Sequence, residues 1–195
     1  MPMCLNPVVS MNTSNRPTVE QAFAVWLTGL PASGKSTITA ALVNELTHRG
    51  VDVAVLESDS MRKILTPCPT YSEEEREGFY TALTYIGRLL ADHGVPVIFD
   101  ATANRRIYRD RARVGFDRFV EVYIDSPLQV CMGRDPKGIY RQGQKDASAQ
   151  VPGLQTDYEA PHRPDLVIHG DREAPRDAAC HILVELQRRC YLPRD

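Results

Sequence analysis

Residues 29–37 read GLPASGKST and match G-x-x-x-x-G-K-[ST] at every fixed position. The pattern belongs between a strand and a helix. Gly29 and Gly34 allow backbone angles and a close approach that a side chain would block. The N–H groups of Leu30, Pro31's neighbours Ala32 and Ser33, and the residues after them can then turn inward and cradle phosphate oxygens. The helix that follows adds its positive N-terminal end. Lys35 sets an ammonium against the terminal phosphates, and Ser36 offers a hydroxyl to magnesium. Thr37 reaches the α-phosphate or packs in the first helical turn. Residues 29–37 are therefore expected to bind ATP with Mg2+.

The flanking pattern supplies that context. Residues 23–28, FAVWLT, form a short apolar run before the loop, and residues 36–49 carry Ile38, Leu42 and Leu46 at helical spacing. Further strands are predicted at 51–57, 95–100, 119–125 and 165–170, and further helices at 73–93, 106–114, 128–134 and 174–189. Strands alternating with helices predict an α/β fold with three layers, a parallel five-stranded sheet flanked by helices. Ligands in such sheets lie beyond the carboxyl ends of the strands. Residues 135–164 are rich in Gly, Pro and polar side chains and too long for a plain connection, which predicts a lid.

A chain of 195 residues fits one domain with a real core. A net charge of −2 gives no bulk attraction to nucleic acid, and no apolar run nears the about 20 residues a membrane helix needs. Residues 1–21 lack a basic start followed by an apolar block and read as a poorly ordered tail before a domain at 22–195. Cys4, Cys68, Cys131, Cys180 and Cys190 are odd in number, with no C-x-x-C pair. Reduced thiols and a cytoplasmic setting are expected.

Other candidates follow strands. Glu57, Asp59 and Arg62 leave the second one. A carboxylate there can orient an acceptor hydroxyl and take its proton, and a guanidinium can clamp an anion. Spacing alone leaves open whether the charges instead cap the next helix. Asp100 ends the third strand, where it could hold magnesium-bound water or cap a helix. Arg105, Arg106, Arg109, Arg111 and Arg113 crowd the helix after it, with one or two expected to reach phosphates. His93 is expected to cap a helix end, and Trp26 to sit in the core.

Taken together, GLPASGKST, ESDSMR, YSEEER, EVYIDSP, RDPKGIY and YEAPHRPDLVI resemble the adenylylsulfate kinase family over about residues 25–186. That family phosphorylates the ribose 3′-hydroxyl of adenosine 5′-phosphosulfate. The resemblance implies a P-loop kinase fold, small nucleotide substrates and a homodimer. It makes Asp59 the catalytic carboxylate and a candidate metal ligand beside Ser36 and Asp100. It also makes Arg62, Arg76, Phe79, Lys137 and Tyr140 the acceptor-side residues.

The departures fall on the acceptor side. Glu57 and Ser58 precede Asp59 where the family has Asp-Gly, and Phe79 stands where it has Asn. Thr102, Ala103 and Asn104 replace Ile-Ser-Pro, so no phosphoserine can form at Ala103. Gln150, Val151, Pro152 and Gly153 replace Asn-Phe-Thr-Gly, and a lost aromatic stack is worth about 1–3 kcal/mol. A relative acting on another anionic acceptor is the alternative these departures imply.

Overall fold

A computed structural model describes residues 21–193. The expected tail, apart from Gln21, lies outside the described residues. Five strands form one sheet: β1 (Ala24–Thr28), β2 (Ala54–Glu57), β3 (Val97–Asp100), β4 (Phe119–Asp125) and β5 (Leu166–His169). Their spatial order is β2-β3-β1-β4-β5, and every pairing is parallel. β1 is central and buried throughout, which is why its sequence is continuously apolar rather than alternating. β2 is shorter than expected, because Val51 and Val53 pack against the core before the pairing begins at Ala54.

Side chains alternate across each strand, and the two faces carry separate cores. Val25 and Leu27 point with Ile98, Val120 and Val122 toward α1 (Lys35–His48) and α7 (Pro175–Arg188). Ala24 and Trp26 point with Val97 and Phe99 toward α3 (Glu73–Asp92) and α4 (Arg106–Val114). Trp26 is fully buried, stacks on Phe99 at 4.6 Å between ring centroids, and donates its indole N–H to the Ala101 carbonyl at 3.0 Å. His93 caps the C-terminus of α3, as its place before Gly94 suggests.

A short α2 (Ser58–Leu65) follows β2 without a break, and α5 (Leu128–Arg134) follows β4. The Gly- and Pro-rich stretch after α5 is more ordered than its composition suggests. It contains α6 (Ile139–Lys145), whose first turn is capped by Asp135, which accepts from the Tyr140 and Arg141 N–H groups at 3.2 and 3.0 Å. It also has a small core of its own, in which Tyr140, Val151 and Cys131 pack with Leu30, Leu128 and Ile139. Its last part is sewn to the exit of β3 and the end of β1. Glu159 N–H donates to the Asn104 carbonyl at 2.7 Å, Arg106 N–H to the Glu159 carboxylate at 2.8 Å, and Thr28 Oγ1 lies 3.0 Å from the Tyr158 hydroxyl.

Candidate active site

The loop of residues 29–37 joins β1 to α1 and lies beyond the carboxyl end of the central strand. Gly29 has φ of 151°, and a Cβ there would stand 2.6 Å from the Ile124 carbonyl oxygen and 2.8 Å from Ser33 Oγ. Only a glycine lets the loop leave the strand this close to β4. Pro31, Ala32, Gly34, Lys35, Ser36 and Thr37 line a cavity of about 440 Å³. Gly29, Leu30 and Ser33 are not among its lining residues. They shape the loop from behind, Leu30 within the small core around Tyr140 and Ser33 fully buried.

Lys35 is buried and donates to the Gly29 and Leu30 carbonyls at 3.0 and 2.8 Å. Burial lowers the pKa of its ammonium, opposed by the negative charge of Asp100. Asp100, at the end of β3, lines the same cavity and is itself buried. Burial raises the pKa of its carboxyl, while Lys35 and a hydrogen bond with Ser36 pull it back. Parallel pairing of β1 and β3 puts Leu27 opposite Asp100, which brings this carboxylate beside the loop. Its environment is therefore the cavity around Lys35 rather than a helix terminus; α4 begins six residues later and its N-cap is Arg105.

A second cavity of about 390 Å³ adjoins the first. It is lined by Arg62, Arg76, Tyr71, Tyr80, Asp146 and Val151, among others. Five residues belong to both walls: Pro31, Ser58, Asp59, Thr102 and Ile139. Asp59, in the first turn of α2, thus stands on the boundary between the two spaces. Lys137 reaches across from the segment before α6 and places its ammonium 2.5 Å from Asp59 and 3.5 Å from Glu57. Both carboxylates raise the Lys137 pKa, the Asp59 hydrogen bond most.

The two arginines are held by different means. Arg62 pairs with Glu75 at 2.9 Å and lies over the Phe79 ring, 3.9 Å from its centroid. A desolvated contact of that kind is worth about 2 kcal/mol. Arg76 donates to the Tyr71 carbonyl at 3.0 Å, Asn104 Oδ1 at 3.2 Å and the Gln150 carbonyl at 2.7 Å. Glu75 is the residue that organises the entrance to α3. Burial opposes its ionisation, but hydrogen bonds from Thr70 and Tyr71 and the Arg62 charge hold its carboxyl below the usual range.

Two residues expected on the acceptor side line neither cavity. Phe79 is 2% exposed and lines neither cavity; it faces the core and supports Arg62 from behind. Tyr140 is 1% exposed and also lines neither; its hydroxyl donates to the Pro31 carbonyl at 3.0 Å and fastens α6 to the phosphate loop. The arginines at and around α4 line neither cavity either. Arg109 is buried against Glu121 at 2.8 Å, Arg113 pairs with Asp165 at 2.7 Å, and Arg105, Arg106 and Arg111 pair with Glu73, Glu159 and Glu77. Charge alone could not distinguish these internal pairs from ligand contacts, because every partner is far away in the chain. Glu75, Tyr71 and Tyr80 have no signal of a ligand site in the sequence; the serine of Y-S-E-E-E, three residues before Glu75, signals only a helix start.

Comparison with known proteins agrees with this geometry. The adenylylsulphate kinase family model matches residues 21–169. Adenylyl-sulfate kinase of Microcystis aeruginosa is 33% identical over 173 residues, covering 89% of this chain and 96% of that protein. A probable adenylyl-sulfate kinase of Halalkalibacterium halodurans is 36% identical over 163 residues, covering 83% of this chain and 78% of the other. Among solved structures, the Mycobacterium tuberculosis APS kinase CysC in complex with AMPPNP and APS is similar with a TM-score of 0.81 at 30% identity, over 86% of this chain and 99% of that one. With its phosphate loop, its strand-end carboxylates and a match over most of its length, the chain belongs to the adenylylsulfate kinase family of P-loop kinases.

Proposed function

We propose that this chain transfers the γ-phosphoryl group of ATP to the 3′-hydroxyl of adenosine 5′-phosphosulfate. The observation that carries the reading is the position of Asp59 on the wall shared by two cavities, one built around Lys35 and the other around Arg62 and Arg76. A hydroxyl delivered through the second cavity meets Asp59 before it meets the phosphates. Asp59 accepts its proton as the oxygen bonds to the γ-phosphorus, and the bond to the β-phosphate oxygen breaks to leave ADP. Lys35 stabilises the charge that builds on the transferring group. Arg62 and Arg76 hold the acceptor's anionic end and fix its hydroxyl in range. Lys137 joins Asp59 to the segment of α6, so closure of that segment and placement of the carboxylate are linked.

Magnesium fits the donor set. Ser36 supplies a hydroxyl and Asp100 a carboxylate bonded to it, and among the described residues no three His, Cys, Asp or Glu side chains are grouped so as to hold a metal ion by themselves. Such a sparse oxygen set suits an ion that keeps several waters and takes its other ligands from phosphates. When bound, the ion would neutralise charge on the β- and γ-phosphates. Nucleotide substrates, a cytoplasmic setting and a homodimer belong to the same reading, the last resting on family resemblance.

Turnover of adenosine 5′-phosphosulfate with ATP and magnesium tests the proposal. Asp59→Asn should lower kcat by about 10²–10⁴ with little change in ATP affinity. Val151 lines the acceptor cavity where an aromatic stack would add binding. Turnover of another anionic nucleotide with none of adenosine 5′-phosphosulfate would replace the acceptor while keeping the kinase.

A further inference from the structure

Asn104 occupies the exit of β3 and is 1% exposed. It lines neither cavity. All of its polar side-chain atoms are nevertheless engaged. Its Oδ1 accepts from Arg76 Nη1 at 3.2 Å, and its Nδ2 donates to the Asp157 carbonyl at 3.2 Å. Its own carbonyl accepts from Glu159 N–H at 2.7 Å. One buried amide therefore ties a cavity-lining guanidinium on α3 to the segment that closes the lid's C-terminal end. The partners come from two other parts of the chain, α3 and residues 157–159.

We infer that Asn104 is a positioning residue for the acceptor, holding Arg76 in the orientation that receives the acceptor's anionic group. The inference rests on the functional reading above. Arg76 has five N–H donors. Three of its nitrogens are fixed by Tyr71, Asn104 and Gln150, which leaves the remaining N–H groups with a set direction. Of the three holders, only Asn104 does so with a side chain, and only its bond to Arg76 lies wholly in the buried interior. The two backbone carbonyls cannot be removed by substitution, so Asn104 is where this orientation can be lost. A side-chain amide suits the place because it offers one acceptor to the cation and one donor to the Asp157 carbonyl at once, where a carboxylate would serve only the first. A neutral acceptor also leaves the Arg76 charge available to an incoming anion.

Asn104→Ala should raise KM for adenosine 5′-phosphosulfate about tenfold, which corresponds to about 1.4 kcal/mol. KM for ATP and kcat should stay within about twofold. A double-mutant cycle with Arg76→Ala should be strongly non-additive, since the amide has nothing to orient once the guanidinium is gone. A readout independent of turnover is the guanidinium NMR signal of Arg76 in the ¹⁵N-labelled full chain, assigned by its loss in Arg76→Lys. That signal should broaden or shift in Asn104→Ala and persist in Asn104→Asp, which keeps the acceptor oxygen. Equal losses for ATP and acceptor, an additive cycle, or an unchanged Arg76 signal would each overturn the positioning role. Failure of the wild-type chain to phosphorylate adenosine 5′-phosphosulfate would sink the functional reading instead, and the NMR comparison would still decide whether Asn104 holds Arg76.

Discussion

Gly78 and Gly87 lie in the same helix, α3, and replacement by alanine should move stability in opposite directions. In a helix interior alanine is favoured over glycine by about 0.5–1 kcal/mol. At Gly78, which is exposed, a Cβ would meet nothing within 4 Å, so Gly78→Ala should gain that amount. At Gly87 the Cβ would lie 2.2 Å from Phe99 Cζ and 2.7 Å from Cε1. Phe99 cannot yield, because it is fully buried, stacked on Trp26 and met edge-on by Phe116 at 5.8 Å. Overpacking a rigid core costs about 1–3 kcal/mol, and a contact this short belongs at the upper end. Subtracting the helix gain leaves Gly87→Ala less stable by about 2 kcal/mol. For a domain of this size that is a drop of about 4–8 °C in Tm, against a rise of about 1–4 °C for Gly78→Ala. Thermal or urea unfolding of the full chain measures both. Gly87→Ala as stable as wild type would refute the argument, since it would mean that α3 does not press on β3 at this point. The same helix carries Arg76, the guanidinium proposed to hold the acceptor.

Two further outcomes are expected. Lys35→Ala should abolish turnover in a folded protein, and wild-type activity should fall on the alkaline side below the usual lysine range, since burial lowers the Lys35 pKa and the protonated form is the one lost as pH rises; near-normal turnover in the variant would remove the loop's role. Tryptic cutting at Arg141 and Lys145, both exposed on α6, should slow when an inert ATP analogue and adenosine 5′-phosphosulfate are added together; equal rates with and without ligands would count against a lid.

The sequence alone determined the phosphate side. A loop of fixed glycine, lysine and serine spacing carries its chemistry in consecutive residues, so the strand before it and the helix after it were enough to place it. The alternation of apolar runs and helical stripes likewise implied a parallel sheet covered on both faces, because β1 and β3 are buried throughout. The acceptor side was decided only by tertiary structure. The family resemblance makes Phe79 and Tyr140 acceptor-side candidates, yet one lies behind Arg62 and the other fastens α6 to Pro31. Arg109 reads as a surface cation among five, yet β4 brings Glu121 to it in the interior. Asn104 reads only as a departure from the family's Ile-Ser-Pro, and the approach of α3 and residue 157 gives its amide two partners. Each of these roles depends on a partner many positions away, and no local periodicity encodes which distant residue the packed sheet will bring alongside.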